Sequence, residues 1–209
     1  MAALWLAPLG FVVGVLLAPL AAPYTGEVPR GRRIAQGVVT AVLFGVLGWR
    51  VGLDPVLPAL LYLAAVGTLL GFIDAAVKRL PDRFTLPSYG VAAALLAVAV
   101  PFTDDGPRRF GYALVGMAVL FVFYAAQAFF VPSGIGLGDV KLSGVLGLYL
   151  GWFGQDTWVT GVLLTYLVGG LVAIGLMVAR RSRKGDFPFG PYMLAGALCA
   201  LLVVPAYAG

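Results

Sequence analysis

Histidine is absent from this chain of 209 residues, cysteine occurs once, and only nine residues are acidic. Each shortage removes a class of chemistry. Without histidine there is no Ser-His or Cys-His dyad, no His-Glu-x-x-His zinc site and no imidazole to ligate haem. Intramembrane serine and zinc proteases of the usual chemistry are thereby excluded. The single Cys199 lies in an apolar segment, so an intrachain disulfide and a Cys-x-x-Cys metal site are both ruled out. Charged residues make up only 11% of the chain, and no long polar stretch remains from which a sizeable soluble domain could be built. The expectation is a protein with no metal and no cofactor.

What is present is apolar. Hydrophobic residues reach 61% and the mean hydropathy is +0.99, well above the level of soluble domains. Apolar segments run over Leu4–Ala22, Ile34–Trp49, Pro55–Val77, Phe84–Phe102, Phe110–Val131, Val140–Phe153, Thr157–Ala179 and Pro188–Ala206. Each is long enough, or nearly so, to cross a bilayer as a helix. The sequence therefore predicts an all-α, polytopic integral membrane protein of about eight transmembrane helices. The sixth segment is short and is expected to be tilted or partly re-entrant. The N-terminus lacks the basic region of a secretory signal, so the first segment reads as a retained span.

The net charge of +5 reads as a topology signal and not as a nucleic-acid surface. Arg30, Arg32, Arg33, Lys78, Arg79, Arg83, Lys141, Arg180, Arg181, Arg183 and Lys184 fall in one set of alternate loops. Only Arg50, Arg108 and Arg109 fall in the other, together with Asp54, Asp104, Asp105 and Asp156. The positive-inside rule makes the first set cytoplasmic and puts both termini outside. Lys78, Arg79, Arg83 and Lys141 then read as interfacial anchors that could also orient acidic lipid or the flank of a substrate.

Two acids break the apolar pattern. Asp74 ends the third span in Gly71-Phe72-Ile73-Asp74, and Asp139 opens the sixth in Gly136-Leu137-Gly138-Asp139. A carboxylate at membrane depth is costly and marks function by default. The topology, drawn without reference to either, puts both at the cytoplasmic face. Gly67, Gly71 and Asp74 share one helix face, and Asp139, Ser143, Gly147 and Gly151 repeat every four residues. Small residues so spaced let membrane helices approach closely, so the third and sixth spans are expected to pack seam to seam. Gly10 and Gly14 show the same spacing with no acid nearby, the pattern that chance would produce among 29 glycines.

Two carboxyls within a few ångström do not both ionise easily, and such a pair shares a proton. The ionised member can take a proton from water while its protonated neighbour polarises a carbonyl. Asp139 starts a helix, where the dipole favours negative charge, and Asp74 ends one, so Asp139 is the expected base. Gly134, Gly136 and Gly138 have two readings: a turn into the helix, with Ser133 or Asp139 as its cap, or a backbone that a bound peptide can approach closely. Asp82, after Pro81, reads as the N-cap of the fourth helix.

These residues resemble the type IV prepilin peptidases and their archaeal preflagellin-peptidase relatives. The family pattern of an aspartate, a basic stretch and Leu/Ile-Pro-Asp is matched by Asp74 to Asp82. Gly-x-Gly-Asp followed by Val-Lys-Leu is matched by Gly136 to Leu142, and Pro-Phe-Gly-Pro by Pro188 to Pro191. The resemblance implies a membrane aspartic peptidase that cuts prepilin-like precursors at the cytoplasmic membrane face. It assigns Asp74 and Asp139 as the catalytic pair, with Gly136, Gly138 and Lys141 positioning substrate. The whole chain, 1–209, reads as one peptidase domain. Larger members carry a cytoplasmic domain between the first two helices, linked to N-methylation of the product. Here residues 23–33 form only a short loop, so methylation is not expected. Two other readings stay open: an ion or proton-coupled transporter that uses the acidic pair as a relay, and a non-catalytic factor that binds pilins during assembly. The identity of the precursor and the oligomeric state are not legible.

Overall fold

The computed structural model describes residues 2–131, 135–180 and 188–204. The chain is an all-α, multi-pass membrane protein, and no strand occurs among the described residues. Helix α1 (Ala2–Leu17) runs through a 3-10 turn, Ala18–Ala21, into the short α2 (Ala22–Thr25). The prolines at 19 and 23, which withhold a backbone donor, coincide with this change of helix type. There follow α3 (Arg30–Val51), α4 (Leu57–Val77), α5 (Asp82–Ala99), α6 (Gly106–Phe130), α7 (Leu137–Trp152), α8 (Gln155–Arg180) and α9 (Gly190–Val203). Taking α1 and α2 as one rod, these are the eight helices the apolar segments predict. Six are long and apolar enough to cross a membrane, while α7 and α9 are shorter than that.

Glycine decides which helices pair. Gly10 and Gly14 of α1 lie against the backbone of Thr40 and Gly37 on α3, where a methyl group would come within 2.7–2.8 Å of main-chain atoms. The Gly10–Gly14 spacing is therefore a packing seam and not a product of chance. In the same way Gly147 of α7 lies on Gly116 and Met117 of α6, Gly151 on Tyr112 and Ala113, and Gly196 of α9 on Thr165 of α8. Each pair is antiparallel, with backbones close enough for dispersion and main-chain contacts to replace the missing hydrophobic drive. The threonines buried within these helices return their hydroxyls to the carbonyl four residues earlier, as Thr40 does to Gln36 at 2.9 Å and Thr165 to Gly161 at 2.8 Å. That bond keeps a polar group satisfied in an apolar medium.

The expected seam between the third and sixth spans does not form. Gly67 and Gly71 of α4 face Leu194 of α9, and the small residues of α7 face α6, where Ser143 Oγ also donates to the Leu120 carbonyl at 3.2 Å. Helix α7 is continuous over Leu137–Trp152 and sits at the centre of the bundle, packed by α5, α6, α8 and α9. Every residue from Asp139 to Trp152 except Lys141 is buried, as expected of a helix that is apolar all round.

Candidate active site

The first acid arises from a helix end. Helix α4 stops at Lys78, which adopts a left-handed conformation (φ 54°, ψ 42°) and donates its N–H to the Asp74 carbonyl at 2.7 Å. This turn sends the chain back so that Leu80 lies against Gly138 of α7 and Gly190 of α9. The Asp74 side chain is buried, and its Oδ2 accepts the main-chain N–H of Gly190 at 3.0 Å. Gly190 is the first residue of α9, where a backbone N–H has no intrahelical partner. A side chain there would not fit, because a Cβ on Gly190 would stand 2.9 Å from Asp74 Oδ2.

The second acid arises from a helix start. Gly136 is the cap of α7 and Asp139 its third residue, so the serine or aspartate cap expected from sequence is replaced by glycine. Asp139 Oδ2 accepts the Gly136 N–H at 3.2 Å. Gly136 has no side chain to return the bond, which leaves the glutamate-like half of a capping box. Asp139 is also buried, and the two carboxyls lie within coulombic reach of one another. Both sit at the same end of the bundle, each oriented by one glycine N–H.

Leu80 joins the three motifs. It is buried, a Cβ on Gly138 would stand 3.0 Å from its Cβ, and one on Gly190 would stand 3.4 Å from its Cδ1. The close backbone approach that sequence reasoning reserved for a bound peptide at Gly138 is thus used by the chain itself. Lys141, expected on the substrate side, reaches across to α5, where its Nζ donates to both carboxylate oxygens of Asp82 at 2.8 Å. Asp82 is accordingly the first residue of α5 and not its cap; Pro81 holds the cap position. Ser133 and Gly134 lie outside the described residues.

Sequence reasoning gave the Pro-Phe-Gly-Pro segment no task, and the structure gives it two. Gly190 holds Asp74, and the Phe189 ring packs 6.3 Å from Tyr124 and 5.8 Å from Tyr166, which stack on each other. The free donor of a helix start between two prolines, Pro188 and Pro191, was the legible signal. Arg32 was missed as well. Its guanidinium crosses from the start of α3 and donates to the Phe72 carbonyl in the last turns of α4, close to the negative end of that helix's dipole. Beside this end an apolar cavity of about 450 Å³ runs between α3, α4 and α9, with Gly71, Ala75 and Pro191 among its lining residues nearest the acids.

A model of the type IV leader peptidase family matches residues 61–178, more than half of the chain and both aspartates. The prepilin leader peptidase/N-methyltransferase of Aeromonas salmonicida is 36% identical over 148 residues, covering 69% of this chain and 48% of that protein. The Bacillus subtilis protein of the same name is 30% identical over 80% of this chain and 64% of its own length. Leader peptidase HopD of Escherichia coli is 32% identical over 68% of this chain and 91% of its own length. The chain spans about half the length of the first of these relatives. No solved structure matches it. With a family model over more than half of its length and a relative 36% identical across 69% of it, the chain belongs to the type IV leader peptidase family.

Proposed function

We propose that this protein is a membrane-embedded aspartic endopeptidase that removes the leader peptide of type IV prepilin-like precursors at the cytoplasmic face of the cell membrane. One observation carries the reading: two buried carboxyls at one end of the bundle, each held by a single glycine N–H. The basic residues of the alternate loops support a cytoplasmic position for that end.

In this mechanism Asp139, at the positive end of α7, takes a proton from the attacking water. Asp74, protonated, donates to the carbonyl of the scissile bond. The tetrahedral intermediate then collapses as Asp139 returns its proton to the departing amine while Asp74 takes one back from the gem-diol hydroxyl, so the pair ends in its starting protonation state. Gly136 and Gly138 position the site by holding Asp139 and seating Leu80. Lys141 does so by tying α7 to the turn that follows Asp74. The apolar cavity beside Asp74 suits the apolar part of a membrane-anchored precursor.

The test is cleavage of a prepilin precursor by membranes carrying Asp74→Asn or Asp139→Asn. Either change should lower the rate by about a thousandfold or more, because the two groups act as a unit, while membrane insertion is retained. Full cleavage by either variant would remove the dyad.

A further inference from the structure

The end of the bundle away from the acids holds a second site. A cavity of about 360 Å³ lies where α6 and α8 begin and α7 ends, lined by Arg108, Arg109, Trp152, Asp105 and Asp156. Some 13 residues of helix separate it from Asp139, roughly 20 Å at 1.5 Å per residue. Two helix N-termini and two guanidinium groups therefore meet at one cavity, an arrangement that attracts an anion. Arg108 is held in place: its Nε donates to the Tyr112 hydroxyl at 3.0 Å and its guanidinium lies 5.3 Å from the centre of that ring. This leaves its terminal nitrogens to serve another acceptor.

A separate observation asks for a ligand. Trp152 lines the cavity and is only 1% exposed, yet its indole N–H has no partner among the described residues. An unmet buried donor is costly, and an acceptor within the cavity would satisfy it. The carboxylates of Asp105 and Asp156 share the lining, so a simple anion would meet repulsion as well as attraction. A group carrying both signs meets neither problem. On the lipid side, Val115, Val119 and Val122 form an exposed apolar stripe along α6 that leads away from the cavity towards the middle of the bilayer, a surface suited to acyl chains.

The geometry points to a binding site for the headgroup of a zwitterionic aminophospholipid. The phosphate would sit among Arg108, Arg109 and the Trp152 N–H, the primary ammonium would face Asp105 and Asp156, and the acyl chains would lie along α6. The ammonium is what selects: a trimethylated amine cannot donate to the carboxylates, and a glycerol headgroup has no positive charge to offer.

The full chain, purified in detergent, is titrated with short-chain phosphatidylethanolamine, phosphatidylcholine, phosphatidylglycerol and inorganic phosphate, and bound lipid is counted by native mass spectrometry. Phosphatidylethanolamine should bind about tenfold more tightly than the other two lipids. Arg108→Gln should bring it down to their level without changing the lipid-free melting curve, and Trp152→Phe should lower it likewise. Arg108 is exposed, so its variant keeps the test valid if the tryptophan change disturbs folding. Equal binding of all three lipids overturns the proposal, as does wild-type lipid binding by the Arg108 variant. Competition by inorganic phosphate at concentrations equal to the lipid would make this a free-phosphate site and overturn it too.

Discussion

At the scale of single residues, Gly190 is the position where a small change has a large chemical meaning. Its N–H bond to Asp74 and its lack of a side chain serve the same contact, since a methyl group would stand 2.9 Å from Oδ2 and 3.3 Å from the carboxyl carbon. Gly190→Ala must move the start of α9 or turn the carboxyl. Misplacement of that order costs about a hundredfold where positioning supplies much of the rate. Gly170→Ala on α8 is the control, because no atom lies within 4 Å of the added group, and it should cleave precursor at the parental rate. Asp74 and Asp139 were legible in the sequence because a carboxylate in an apolar run is conspicuous and the loop charges placed both at one face. Their glycine partners were not, because main-chain donors carry no side-chain signature. The Lys141–Asp82 pair was hidden for another reason: it joins residues 59 apart in sequence, and nothing local reports such a contact.

At the scale of helices, the spacing of small residues announced close packing but not its partner. A Cβ added at Gly147 would meet main-chain atoms of α6 at 2.7 Å or less, whereas one added at Gly71 would meet only the end of the Leu194 side chain at 3.6 Å. Gly147→Ala should therefore destabilise the protein by about 1–3 kcal/mol, seen as a lower melting temperature in detergent, while Gly71→Ala should be close to neutral. Gly116→Ala should behave like Gly147→Ala, since its Cβ would meet main-chain atoms of Gly147 and Gly151 on α7. The opposite pattern would restore a seam between α4 and α7. The helices themselves were legible to within a few residues, since span length and hydropathy are properties of the local chain. The start of α7 lies three residues earlier than the apolar run suggested, because Gly136 and Asp139 between them satisfy the helix end.

At the scale of the whole molecule, the fold class followed from composition, but the arrangement of helices around a central α7 did not. Hydropathy does not distinguish a helix facing lipid from one facing protein. The link between α2 and α3 is short, Gly26–Pro29, at the point where the family resemblance implies a cytoplasmic domain in larger members. The mature product should consequently keep an unmethylated N-terminus. Mass spectrometry of pilin processed by this protein alone, in a host without another member of the family, decides the matter; a methylated terminus would refute it.

The enclosure of α7 also bears on how the protein responds to membranes of different thickness. Its 16 residues span about 24 Å, less than the roughly 30 Å of a hydrocarbon core. Protein surrounds it, so the bilayer does not set its length. Hydrophobic mismatch then falls on the outer helices, α1, α3, α6 and α8, whose exposed valines, leucines and phenylalanines touch lipid. They can tilt in thick membranes or draw the bilayer in around them in thin ones. The carboxyl spacing, held by contacts among α4, α7 and α9, should not follow. Leader cleavage in vesicles of 14-carbon and 22-carbon lipids should accordingly differ by no more than about twofold. A sharp optimum in acyl length would mean that the bilayer itself sets the register of the two acids.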